Sequence, residues 1–168
     1  NLKIKYREGF RPFAPSVLEE HIGEYFDLDR STPYMLLVAP VRQDRRLPLP
    51  DGYDEMGLYE KLYHLRSEIP AVTHVDFSAR IQSVSRSTNP TYWTLIREFQ
   101  DKTGCAVIVN TSFNVRGEPI VCTPEHAYRC FMTTEMDYLA MDRFLFSKAD
   151  QPAWHGQLRP SDDDTELD

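Results

Sequence analysis

The sequence predicts a mixed α/β domain, and three observations predict it. Cys105-Ala106-Val107-Ile108-Val109 is a short apolar run with the β-branched content of a strand buried on both faces. Asn89-Pro90 and Thr123-Pro124 each set a side-chain cap and an N1 proline ahead of apolar residues at helical spacing. A length of 168 residues fits one domain with its own core, and no internal repeat divides it.

In chain order, Leu2 to Arg7 alternates, with Leu2, Ile4 and Tyr6 opposite Lys3, Lys5 and Arg7, which reads as a half-buried strand with a basic face. Phe10-Arg11-Pro12-Phe13-Ala14-Pro15 follows as a stiff connection of prolines and aromatics. Ser16 to Phe26 reads as a short amphipathic helix capped by Ser16, with Val17, Leu18, Ile22 and Phe26 inward. Tyr34 to Ala39 is an apolar strand, and Pro40 to Tyr53, with Arg42, Arg45, Arg46 and Asp51-Gly52, is a long loop. Leu58, Leu62, Leu65 and Ile69 predict a helix over Glu55 to Ile69, ended by Pro70.

Val72 to Val75 and Ala79 to Val84 read as strands around a bend at Asp76 to Ser78. The helix from Pro90 turns Tyr92, Leu95, Ile96 and Phe99 inward, ends at Gly104 and delivers the chain into the Cys105 strand. The helix from Pro124 turns Ala127, Tyr128 and Phe131 inward, and Asp137 to Phe146 closes the fold as a pair of short strands, Tyr138–Met141 and Phe144–Phe146, or as a strand and bend. The apolar pattern stops after Ser147, so residues 149–168, with Asp162-Asp163-Asp164, are expected to be a disordered tail.

Charge and composition narrow the function. A formal net charge of -7 argues against a nucleic-acid surface, which needs a basic face, and still permits a local basic pocket. Three cysteines without C-x-x-C spacing read as reduced thiols of a cytoplasmic protein. No apolar run is long enough for a membrane span and no signal peptide is visible, so no membrane partner is expected. Starting without Met, already inside an alternating pattern, the chain reads as an excised fragment of something longer.

Where the Cys105 run ends, Asn110-Thr111-Ser112-Phe113-Asn114 presents four short polar side chains. They suit a loop capped by its own Asn and Ser residues, or a polar cup for a small charged ligand at a strand end. Lys3, Lys5, Arg7 and Arg11 fall within nine residues of an acidic chain, either as a solvated strand edge or as anion ligands, and the Arg-Pro-Phe setting of Arg11 would hold its guanidinium in place. Arg80 and Gln82 share one side of their strand and are costly to bury unless paired or bound to an anion. His74 with Asp76 offers two metal ligands, too few for a dedicated site, so no metal site is expected in this chain.

Three segments together carry a resemblance: Lys5-Tyr6-Arg7-Glu8-Gly9-Phe10-Arg11-Pro12-Phe13-Ala14-Pro15, His74-Val75-Asp76 with Ala79-Arg80-Ile81-Gln82, and Asn110-Thr111-Ser112-Phe113-Asn114 with Arg116-Gly117-Glu118-Pro119. In this order they resemble the C-terminal domain of the NodU/CmcH-type O-carbamoyltransferases, over residues 1 to 146. The resemblance implies a YrdC-like twisted mixed sheet flanked by helices over 1–148, and an N-terminal actin-like transferase domain, with a metal ion, that this chain lacks. Phe77 departs from the small residue expected after the Asp.

The implied activity is formation of carbamoyl adenylate from ATP and carbamoyl phosphate, with transfer to a hydroxyl acceptor in the N-terminal domain of the same parent chain. Lys5-Tyr6-Arg7 is similar to the family's K-x-R element and Ser112-Phe113-Asn114 to its S-x-N element. Lys5 and Arg7 are thereby expected at the phosphates, Arg11 and Arg80 at carbamoyl phosphate or the anhydride, and Ser112 and Asn110 at the carbamoyl and α-phosphoryl groups, with Asn114 beside them. Lys5, Arg7, Arg11, Arg80 and Ser112 form the expected catalytic set, and Mg²⁺ is expected to enter with ATP. A non-catalytic module that binds nucleotide and carbamoyl phosphate is the alternative, an RNA-binding relative is disfavoured by the acidic balance, and a homodimer stays open.

Overall fold

Strands β1 (Ala14–Leu18), β2 (Leu37–Pro40), β3 (Ser78–Val84) and β4 (Val107–Asn110) build a sheet in the order β2-β3-β1-β4. The structure, a computed structural model, describes residues 1–155. β1 runs parallel to β3 and antiparallel to β4, and β2 runs antiparallel to β3, so the sheet is mixed and the fold is α/β. Pro15 is tolerated inside β1 because pairing with β3 starts one residue later, at Ser16, so its missing N–H costs no bond on that side.

The chain divides into two compact units. Pro12–Thr111 is the sheet unit, and its core gathers Val17, Leu18, Phe26, Val41, Ile81 and Ile96 among others. Its helices are α1 (Ile22–Tyr25), α2 (Leu58–Tyr63) and α3 (Pro90–Thr103). α3 keeps both predicted ends: Asn89 Oδ1 accepts from the Tyr92 N–H, and Gly104 adopts φ +76° at the C-terminal cap. Ile96 is its buried residue, whereas Leu95 and Phe99 of the expected stripe are exposed.

Asn1–Arg11 and the chain from Ser112 form the second unit. Here α4 (Pro124–Met132) packs Ala127 and Phe131 against Leu139 of a hairpin made by β5 (Tyr138–Met141) and β6 (Phe144–Ser147). Thr123 caps α4 by accepting from the His126 N–H. At the other end the Lys148 ammonium donates to the Phe131 and Thr134 carbonyls, filling acceptors that the last turn leaves open. The segment expected as a tail begins in a 3₁₀ turn, Lys148–Asp150, that starts one residue before it, and within it Gln151 Oε1 accepts from Tyr128 and Trp154 meets the Tyr128 ring edge-on. Residues 156–168 lie outside the described residues.

Five local expectations are corrected. Leu2 to Arg7 is a turn and not a strand: the Arg7 N–H donates to the Asn1 carbonyl, Tyr6 sits at φ +50°, Leu2 is 68% exposed and Lys5 only 6%. Ser16 is no helix cap but a buried residue of β1, where it donates to Gln82 Oε1 and accepts from the Tyr92 hydroxyl. The helix over Glu55 to Ile69 is limited to Leu58–Tyr63, with Leu58 and Leu65 exposed. Val72 to Val75 is not a strand, because Pro70–Val72 takes a 3₁₀ turn. The Cys105 run becomes an edge strand, so Val109 is 45% exposed instead of covered on both faces.

The bend at Asp76 to Ser78 is present, and it accounts for the odd residue in it. Phe77 holds φ +64°, a region where a residue without Cβ is at ease. The Arg46 guanidinium lies 4.7 Å from the Phe77 ring centroid, a cation–π contact that only the aromatic can make.

Candidate functional site

In the unit formed by the chain's two ends, a cleft of about 410 Å³ is lined by Lys5, Arg7, Glu8, Arg11, Ser112, Asn114 and Arg116. Two turns create it. Asn1 Nδ2 donates to the Arg11 carbonyl, its Oδ1 accepts from Arg7 Nε, and the Arg11 N–H donates to the Glu8 carbonyl, curling the first eleven residues. The Arg116 N–H donates to the Lys5 carbonyl, tying the loop after Ser112 to that curl.

Lys5 is the pin between them. Its ammonium donates to the Ser112 carbonyl at 2.6 Å, the Asn114 carbonyl at 2.6 Å and Asn114 Oδ1 at 2.7 Å, with Ser112 Oγ at 3.3 Å. Ser112 Oγ donates to Asn114 Oδ1, and Asn114 Nδ2 donates to the Glu118 carbonyl. The polar loop is thus capped by its own Ser and Asn, and the charged group it encloses is an ammonium of the same chain. Burial, then the charge of Arg7, pulls the Lys5 ammonium below the usual lysine value, against a pull upward from Cys130.

The guanidiniums lie further out. Burial and then Arg11 lower the Arg7 pKa, with Glu8 opposing. Glu8 reaches Arg11 through one carboxylate oxygen at 3.5 Å and Arg116 through the other at 3.3 Å. Its own backbone N–H, then Arg11, Arg116 and Arg7, hold that carboxyl below the ordinary glutamate range. Four cations around one carboxylate give the cleft a local positive balance in an otherwise acidic chain.

Five of the seven expected residues, Lys5, Arg7, Arg11, Ser112 and Asn114, line this cleft. Arg80 and Asn110 belong to the sheet unit. Asn110, at the end of β4, donates to Gln82 Oε1 at 2.6 Å, beside the Ser16–Tyr92 contact. Arg80, on β3, lines a separate cleft of about 280 Å³ with Phe13, His74 and Asp76, and its guanidinium has no hydrogen-bond or ion-pair partner among the described residues. Asp76 Oδ1 accepts from the Ser78 N–H and lies 3.3 Å from His74 Nδ1. Among the described residues no group of three or more His, Cys, Asp or Glu side chains could hold a metal ion. No helix among them is long and apolar enough to cross a membrane.

Sequence reading missed Arg116 and Glu8. Both stand inside the segments already singled out, and a signal for Arg116 was there: it follows the polar loop by two residues and precedes Gly117, which takes φ +79° to turn the chain back.

Fold and cleft define an α/β protein with a cationic cleft in the unit that joins residues 1–11 to the chain from Ser112. The family model described as carbamoyltransferase C-terminus matches residues 1–148, and the chain belongs to that family. An uncharacterized protein of Synechocystis sp. is 62% identical over 152 residues, 90% of this chain and 25% of that protein. Nodulation protein NolNO of Sinorhizobium fredii is 41% identical over 151 residues, covering 88% and 19%. The 3'-hydroxymethylcephem-O-carbamoyltransferase of Amycolatopsis lactamdurans is 36% identical over 119 residues, covering 71% and 19%. The chain therefore spans a quarter or less of the length of these relatives.

Proposed function

We propose that this chain is the carbamoyl-adenylate-forming part of an ATP-dependent O-carbamoyltransferase. The observation that carries it is the cationic cleft, where Arg7, Arg11 and Arg116 stand beside Ser112 in a chain of net charge -7. Membership of the family, which includes a cephem O-carbamoyltransferase among the relatives, supports the reaction class.

Water first splits carbamoyl phosphate into carbamate and inorganic phosphate. A carbamate oxygen then bonds to the α-phosphorus of ATP while the bond to pyrophosphate breaks, leaving carbamoyl-AMP. The hydroxyl of an acceptor in an N-terminal domain of the longer protein then bonds to the carbamoyl carbon, loses its proton, and AMP leaves as the bond between that carbon and the phosphate oxygen breaks. Charge in such a phosphoryl transition state spreads over several oxygens, so fixed, preorganised cations supply most of the catalysis. Arg7 and Arg11, joined by Arg116, take the phosphates, and the Ser112 hydroxyl, turned from Asn114 Oδ1, donates to the carbamoyl or α-phosphoryl oxygen. Arg80, Asn110 and Asn114 are kept as further ligand contacts. Lys5 works as the pin that shapes the loop, since its donors already serve Ser112 and Asn114. Mg²⁺ arrives with ATP, carried largely by phosphate oxygens.

A second reading is a module that binds nucleotide and carbamoyl phosphate without turnover. It is favoured by the engagement of the Lys5 ammonium with protein oxygens, which leaves that cation unable to follow a departing phosphate. Pyrophosphate release from ATP, Mg²⁺ and carbamoyl phosphate separates the two: release is expected, and ATP binding without release establishes the module. Arg80→Ala is expected to weaken ATP binding by about 1.5 to 3 kcal/mol, the scale of a charge-assisted hydrogen bond. Unchanged affinity by calorimetry removes Arg80 from the site.

A further inference from the structure

Glu8 is the one carboxylate among the described residues that line the cationic cleft, and its two oxygens are divided between Arg11 and Arg116. At 3.5 and 3.3 Å both contacts are longer than a close guanidinium–carboxylate hydrogen bond, and the two arginines are more than half exposed, so exchanging them is cheap. Both arginines are also held by their backbones, Arg11 on the Glu8 carbonyl and Arg116 on the Lys5 carbonyl, so the side chains can part without undoing the turns.

We propose that Glu8 exchanges partners when the cleft fills, surrendering Arg11 and Arg116 to the oxygens of a polyphosphate and becoming a ligand of the Mg²⁺ that the polyphosphate carries. This rests on the cleft being the polyphosphate site. The residues fit such an ion: Mg²⁺ held mostly by phosphate oxygens and water asks for only one or two carboxylates, and Glu8 supplies one. Filled, the cleft pairs its arginines with phosphate and its one carboxylate with metal, so that each sign of the Mg²⁺–polyphosphate pair meets its opposite.

Arginines alone behave differently. Mg²⁺ neutralises the charge that they read, so a purely cationic cleft binds the magnesium complex less well than the free anion. Glu8, the carboxylate within reach, is what turns Mg²⁺ into an aid to binding here.

The test is calorimetry of inorganic pyrophosphate with and without MgCl₂, on the full chain and on Glu8→Gln, a nearly isosteric change at a partly exposed position. The unaltered chain is expected to bind pyrophosphate more tightly when Mg²⁺ is present. Glu8→Gln is expected to bind free pyrophosphate about fivefold more tightly, the effect of removing one unit charge about 4 Å away in a water-like medium. In that variant Mg²⁺ should weaken binding, reversing its sign. A Mg²⁺ gain retained by Glu8→Gln overturns the partner exchange, as does a Mg²⁺ penalty in the unaltered chain. Absence of pyrophosphate binding in both proteins overturns the cleft as polyphosphate site instead, so the two failures are distinct.

Discussion

Single side chains in this protein do work opposite to what their type suggests. Lys5 carries a charge yet is 6% exposed, because its ammonium is turned inward onto the Ser112 and Asn114 carbonyls and Asn114 Oδ1 and pins the loop there. Cys130, on the inner face of α4, is the neighbouring case. Burial, followed by Glu118, pushes its thiol above the usual cysteine range, with Lys5, Arg129 and Lys148 opposing. A thiol with a higher pKa folded than unfolded binds more protons in the folded state once pH passes its unfolded value, roughly 8.5. Its contribution is therefore complete below that pH and is lost as pH climbs through the folded pKa. Urea denaturation at a series of pH values from about 7 to about 10 should show stability falling on the alkaline side. Cys130→Ala should flatten that decline, and an identical slope in the variant would clear Cys130 of any part in it.

Elements differ in how openly the sequence announces them, and the difference is one of range. α3 and α4 are legible because their signals are local: Asn89 or Thr123, the proline after it, and the apolar stripe all lie within a few turns. The same reach explains the β5–β6 hairpin and the bend before β3. β1 reads as a helix because Val17, Leu18, Ile22 and Phe26 do recur at helical spacing, while what makes Ala14–Leu18 a strand is pairing with residues more than sixty positions away. The first turn departs in the opposite direction, since alternation of Leu2, Ile4 and Tyr6 is real but Lys5 is drawn inward by Ser112 and Asn114. Local signals can be tested locally. Asn89→Ala removes the acceptor of the Tyr92 N–H and should cost about 1 kcal/mol of stability in urea, the usual cap value. A loss under a few tenths would mean that water replaces the cap without penalty.

At the scale of the whole molecule, the cations of the cleft are legible as types and its wiring is not. Lys5, Arg7 and Arg11 stand close together in sequence, but that Glu8 would sit between Arg11 and Arg116 depends on joining positions more than a hundred residues apart. The two chain ends meet in one unit, and the boundary falls inside both of the most telling segments, between Arg11 and Pro12 and between Thr111 and Ser112. That division has a consequence for autonomy. Pro12–Thr111 is one unbroken segment that contains all four strands of the mixed sheet and a core of Val17, Leu18, Phe26, Val41, Ile81 and Ile96. About a hundred residues with a single core is the size at which domains fold alone. Expressed by itself, residues 12–111 should give dispersed amide resonances and one cooperative urea transition, with a slope of roughly 1 to 3 kcal/mol per molar. The unit joining residues 1–11 to the chain from Ser112 has no such continuous fragment, since Lys5 must reach Ser112 and Asn114 across the intervening segment. A 12–111 fragment that stays collapsed without a cooperative transition would show that the sheet needs the chain's ends in order to fold.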